Sequence, residues 1–306
     1  MTQEPHLLEN EHWQVGILPE TGASVAFGRI KRDDRWVDFM RPTAPVDYGN
    51  SSMAASFLLI PWSNRIKDAR FQFRGETIQL QPNTPEGFAQ HGVVRKVAWK
   101  IAEANPQAIT LRYDSHDFPD VNFPFLFSAE ATYRLEGQNF IMRICLTNEG
   151  DKSFPAGFGH HPYFVRQMEG VSAQLEIPVD QEYEMVNKLT VAAPYPITQP
   201  LDFRQLRPLE PEKTGVEIDN VLTGVDHTRP VRFVYGDVEL HMTFDPIYGH
   251  VVFFSPLEKA FYAVEPVTNT NDGFNLDAQG VPGTGVFVLD PGQTQCGDIV
   301  LRVVKA

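Results

Sequence analysis

Cysteine is scarce: the 306 residues hold only Cys145 and Cys296. Neither has a partner or a ligand cluster near it in sequence, so the expectation is no disulfide framework and no cysteine zinc site, with Cys145 a small core residue. Long apolar runs are missing as well. No window approaches the roughly 18 uninterrupted apolar residues of a membrane helix, and the opening MTQEPHLLENEHWQV lacks a basic patch followed by an apolar stretch. The expected location is therefore cytoplasmic. Basic charge is in short supply, with 26 Lys and Arg against 39 Asp and Glu and a formal net charge of -13. Nucleic acids and anionic membranes are recruited by clusters of Lys and Arg, so neither is an expected partner, and a neutral or cationic small molecule is.

Helical periodicity is missing too, as are low-complexity stretches, domain linkers and repeats of fixed period. What is present reads with a period of two. In FIMRICLT, Phe140, Met142, Ile144 and Leu146 alternate with Ile141, Arg143, Cys145 and Thr147, as a strand requires. FQFRGETIQL, ITLRYD, VRFVYGDVEL, HVVFFSP and FYAVEPV follow the same rule. Turn signals separate them, at Arg74-Gly75-Glu76, Glu136-Gly137 and Tyr235-Gly236-Asp237, so hairpins are expected throughout. With 42% hydrophobic residues the chain can cover a packed core. Two antiparallel sheets packed face to face satisfy that pattern, within one domain over residues 1 to 306. The Pro-rich, polar segment from about Val191 to Asp219 is expected to be a long loop excursion.

Histidine suits proton transfer near neutral pH, and His91, His160 and His161 stand in unusual company, in FAQHGVVR and GFGHHPYF. Taken singly, each also fits a structural part. The proline after His161 biases that residue to an extended backbone, which puts His161 and Tyr163 on one face and His160 on the other. Glu265 is likewise followed by a proline, Pro266, and stands among Phe261, Ala263 and Val264. A carboxylate there either pairs with an arginine at a strand end or has a raised pKa and acts as a base. Asn64, Arg65 and Asp219 interrupt other apolar runs, where surface charge and turn formation are the ordinary alternatives.

In order along the chain, PWSNRI (61 to 66), HGVVR (91 to 95), GHHPYF (159 to 164), IDNVLTG (218 to 224) and VEPVTNTNDGFN (264 to 275) resemble the motif series of the aldose 1-epimerase family. The resemblance runs from about residue 10 to the last strand. It implies a galactose mutarotase-like fold, a large antiparallel β-sandwich, in agreement with the period-two reading. It also implies roles: Arg65 binds sugar, His91 is a first active-site histidine, His161 is the acid, Asp219 binds substrate and Glu265 is the base. Asn64 and Trp62 complete the expected sugar-binding set, Trp62 as a stacking face. No metal and no organic cofactor is implied. His160 departs from the family, whose similar members usually carry an aromatic or aliphatic residue there, and the pre-proline argument selects His161.

The implied reaction interconverts α and β anomers, which requires opening the hemiacetal ring. Glu265 would take the C1 hydroxyl proton while protonated His161 supplies one to the ring oxygen. Three alternatives stand beside it. Asp219 and Glu265 also read as the carboxylate pair of a glycoside hydrolase. A carbohydrate-binding protein would keep the polar cleft without the acid and base. A phosphorylated sugar fits the four cations Arg65, Lys67, Arg70 and Arg74, which otherwise belong to a solvated hairpin face.

Overall fold

The computed structural model describes residues 4–209 and 217–306. It is an all-β sandwich, and its strands follow from side-chain alternation. In Asn139–Asn148, Phe140, Met142, Ile144 and Leu146 are buried while Arg143 is exposed. That strand lies between Phe127–Glu136, joined through the expected turn at Gly137, and Thr294–Lys305. Nine strands form the sheet, ordered Lys100–Asn105, Ala108–Asp114, Phe127–Glu136, Asn139–Asn148, Thr294–Lys305, Val238–Phe244, Val231–Tyr235, Gln174–Glu176 and Arg207–Pro208.

Eight strands form the second sheet, ordered Tyr195–Pro196, Val179–Glu182, Ile218–Val225, His250–Ser255, Phe261–Val267, Gly159–His160 and Leu58–Leu59, with Tyr163–Val165 pairing beside Gly159–His160 on Phe261–Val267. A four-stranded sheet, His6–Glu9 to Arg35–Asp38, adds the N-terminal part. One buried hydrophobic cluster runs from Leu8 to Val303. Each fully buried Leu or Phe in it is worth about 1.5–3 kcal/mol, so this core and not the hairpin turns holds the sheets together.

The two faces of the eight-stranded sheet do different things, because successive side chains point to opposite sides. Leu58, Leu222, Phe253 and Val264 point into the main cluster. Their neighbours Phe57, Leu59, Val221, Val252, Ala263 and Val267 form a second, smaller cluster. Asp219 and Glu265 share parity with Val221 and Ala263, so they emerge on that second face. This face is the floor of the site described below.

The cysteine expectation is overturned. Cys145 lies directly opposite Cys296 across two central strands, and the pair forms a disulfide with S–S 2.08 Å. Cys145 is half-buried, not a core residue. A separation of 151 residues hid a partnership that only strand pairing creates. A helix is also present, Gly273–Ala278, six residues long and too short to show a helical period. The segment expected as a loop excursion instead contributes short edge strands to both sheets, Tyr195–Pro196 and Arg207–Pro208. Residues 210–216 of that segment lie outside the described residues. No helix among the described residues is long and apolar enough to cross a membrane.

Candidate active site

Glu265 sits in the strand Phe261–Val267, opposite Val252, and is 2% exposed. Burial pushes its carboxyl well above the ordinary carboxylate range, nearby Asp219 pushes it further, and Arg65 pulls it back. The sequence predicted a polar residue in an apolar strand, and the sheet makes that a buried acid.

His161 comes to the same place from another strand pair. Its backbone N–H donates to the Phe57 carbonyl at 3.0 Å, and that of Tyr163 to Ala55. The ring packs against both Phe57 and Tyr163, at centroid distances of 4.6 and 4.5 Å. Its Nε2 is 3.1 Å from Glu265 Oε1 and 3.4 Å from the Tyr163 hydroxyl. Burial drives the imidazolium well below its usual range, helped by the charges of Arg41, Arg95 and Arg65. As the alternation predicts, His160 points the other way. It is fully buried near Tyr133, with neither ring nitrogen hydrogen-bonded and its pKa pushed down to about 3 by burial.

Two tight segments supply the rest. Asn64 and His91 both have left-handed backbones, with φ of 55° and 62°, and His91 N–H donates to Asn64 C=O at 2.7 Å. Gly92 makes this crossing possible: at φ +64°, an added Cβ would stand 1.8 Å from the Ile60 carbonyl oxygen. The ring of His91 packs 5.5 Å from that of His161. Burial first, then His161, Arg95 and Arg65, hold His91 well below its ordinary pKa. Arg65 is fixed at both ends: its N–H donates to Asn271 Oδ1 at 3.3 Å, and its Nη1 to Asn64 Oδ1 at 2.9 Å. Asp219, in Ile218–Val225, stands opposite Phe254.

Six of the seven expected site residues therefore line one cavity of about 250 Å³: Asn64, Arg65, His91, His161, Asp219 and Glu265. Trp62 does not. It is 1% exposed, belongs to the main core and packs 5.9 Å from Phe123, so the stacking expectation is corrected. Its large ring gains more by burial than by facing a wet cavity. The four-cation cluster is dispersed as well. Only Arg65 lines this cavity, Lys67 and Arg70 border a separate one, and the guanidinium of Arg74 is 3.7 Å from Asp290.

Sequence reasoning passed over Phe57, Tyr163 and Arg95, which also line the cavity, and Arg41, which lies against Tyr163. Tyr163 and Arg95 were inside motifs already in hand, GHHPYF and HGVVR. Arg41 stood in no motif and had no signal. Among the described residues no group of three or more His, Cys, Asp or Glu is placed to hold a metal ion.

The family described as aldose 1-epimerase matches residues 6–302. The uncharacterized protein YihR of Escherichia coli K12 is 24% identical over 242 residues, covering 77% of this chain and 75% of YihR. The aldose 1-epimerase of the same organism is 29% identical over 169 residues, 51% of this chain and 46% of that protein. The GalM/aldose epimerase homologue from C. elegans superposes with a TM-score of 0.82 at 18% identity, over 99% of each chain, a likeness of fold.

Proposed function

The chain belongs to the aldose 1-epimerase family, and from that premise we propose that it interconverts the anomers of an aldose through Glu265 and His161, without a cofactor and within one domain. The observation that carries the proposal is the 3.1 Å approach of His161 Nε2 to Glu265 Oε1, both buried, in the lining of one cavity. Ring opening needs one proton taken from the C1 hydroxyl and one given to the ring oxygen. A carboxylate and an imidazolium side by side supply both.

The proton count closes. Glu265 accepts the hydroxyl proton as the C1 to ring-oxygen bond breaks, and the ring oxygen takes the proton of His161. The pair passes from carboxylate and imidazolium to carboxylic acid and neutral imidazole. Rotation about C1 to C2 presents the other face of the aldehyde, and reclosure runs the transfers backwards. No net proton is consumed. Burial favours the neutral form of each partner, which lowers the cost of the state reached on opening.

Arg65 and His91 would donate to sugar oxygens as negative charge develops, and Asp219 would accept from hydroxyls. Each of the two proton-transfer groups is typically worth about 10² to 10⁴ in rate. The test is anomer exchange followed by NMR or polarimetry on the purified protein over a panel of aldoses. Exchange faster than in buffer for at least one sugar supports the reading. Exchange no faster than buffer across the panel, with sugar still bound, would leave a carbohydrate-binding protein.

A further inference from the structure

The cavity is charged in a way that a neutral sugar does not explain. Arg95 lines it, with its guanidinium 5.0 Å over the Phe57 ring and Nη1 donating to Ser52 Oγ at 3.0 Å. Arg41 is not in the lining but lies against Tyr163, which is. Its guanidinium lies 3.8 Å over Tyr163 and 4.6 Å over Phe261, and its Nη2 donates to the carbonyls of Ser52, at 3.2 Å, and Ala54. Two cations thus meet at Ser52, one on the ring of Phe57 and one on the ring of Tyr163, both of which pack against His161.

Among the described residues, no carboxylate comes within the 4.0 Å of an ion pair to Arg41, Arg65 or Arg95. That is notable in a chain with 39 acidic residues against 26 basic ones. Many other arginines are paired, as Arg29 is with Asp38 and Arg232 with Glu239 and Glu176, although Arg70, Arg207 and Arg302 also have no carboxylate at that distance among the described residues. The Nε of Arg41 is buried without a partner. A partly desolvated guanidinium with no counter-ion is costly unless an anion completes it. With Glu265 and His161 sharing one proton and neutral as a pair, the guanidiniums of Arg65 and Arg95 in the lining, with Arg41 against Tyr163, outnumber the single carboxylate of Asp219. The whole chain is acidic, and this one cavity has the opposite sign.

We propose that the substrate is an aldose bearing a terminal oxyanion, a phosphate, sulfonate or carboxylate, received by Arg95 and Arg41 at the Ser52 rim while C1 lies at Glu265 and His161. The proposal rests on the epimerase reading for the placement of C1. The fork of an arginine matches a planar or tetrahedral oxyanion, and two neighbouring forks fix its orientation. The bound anion also offsets two of the charges that disfavour the imidazolium of His161, so the correct substrate would favour the protonated acid.

The experiment uses matched pairs of gluco, galacto and manno sugars, each as the free hexose, the 6-phosphate, the uronate and the 6-deoxy-6-sulfonate, at fixed ionic strength. Both anomer exchange and calorimetric binding are measured on the intact protein. At least one oxyanionic sugar is expected to exceed its neutral counterpart by about tenfold or more in kcat/KM and in affinity, as one additional charge-assisted contact provides. The best arm names the anion. In Arg95→Gln and Arg41→Gln the oxyanion-to-neutral ratio is expected to fall about tenfold, with Arg95→Lys recovering part of it. Should Arg41→Gln not fold, Arg95→Gln at the half-buried rim carries the test. Equal rates and affinities in every pair, or an equal loss on both members in the variants, overturns the proposal and leaves the epimerase reading standing. If no sugar exchanges, the epimerase reading fails, and binding alone decides the anion: tighter oxyanionic sugars uphold it and equal binding ends it.

Discussion

His161 and Glu265 approach to 3.1 Å with exposures of 7% and 2%, so whichever proton they hold is shared between two largely desolvated groups. Burial moves the carboxyl up and the imidazole down, the two groups toward each other. Neither has a titration of its own under those conditions; the apparent pKa values belong to the pair.

The pH profile should show this. kcat/KM for anomer exchange is expected to be a bell with a wide flat top. It falls at acid pH when a second proton enters the pair, below the ordinary histidine value of about 6.5, and at alkaline pH when the shared proton leaves, above the ordinary glutamate value of about 4.3. A single inflection at an unshifted histidine value would rule out the shared proton.

Replacing the base tests the role of Glu265. Glu265→Gln keeps shape and removes proton transfer, so exchange should drop by about 10² to 10⁴. Far-UV dichroism and the melting temperature should be retained, because the strand and its apolar neighbours are untouched. A variant within a few fold of wild type in exchange removes Glu265 from the reaction.

His160 makes a prediction about stability. Its two ring nitrogens are buried without partners, and an unmet buried polar group costs about 1–3 kcal/mol. His160→Leu should therefore melt at a higher temperature at pH 7. The sign of the pH effect follows from linkage. The folded value is lowered to about 3, below the unfolded value of about 6.5. The neutral ring thus contributes stability above the unfolded value that is lost as pH falls toward the folded one. The loss of stability on acidification should be shallower in His160→Leu than in wild type. A less stable variant with an unchanged acid slope would contradict both parts.

Disulfide chemistry offers a fourth check. Cys145 and Cys296 bridge central strands 151 residues apart in sequence. Protein purified without reductant should show no reactive thiol after unfolding, and reduction or Cys296→Ser should lower denaturant stability by about 2–4 kcal/mol. Thiols trapped in cells read the compartment at the same time, since a reducing cytoplasm keeps such pairs open.

Much of the fold was legible because alternation is a local property. Phe140 to Thr147 announces its buried and exposed faces residue by residue, and Gly75, Gly137 and Gly236 mark hairpins where the structure has them. The six-residue helix Gly273–Ala278 was not, since so short a run shows no period. Within the site, His161 and Glu265 were legible through their prolines and their motifs. Trp62 was misassigned because a motif locates a residue along the chain and not the side to which its ring turns.

What the amino-acid order determined by itself is the family, the all-β class and the outline of the candidate site, because parity along a strand and motif order need no knowledge of distant partners. What only the tertiary structure decided is which residues meet across long separations. It paired Cys145 with Cys296, sent Trp62 inward, left His160 bare in the core, and gathered Arg41 and Arg95 at Ser52 beside His161. Contacts of that kind depend on strand register and on the packing of one sheet face, and neither is written in any local stretch of the chain.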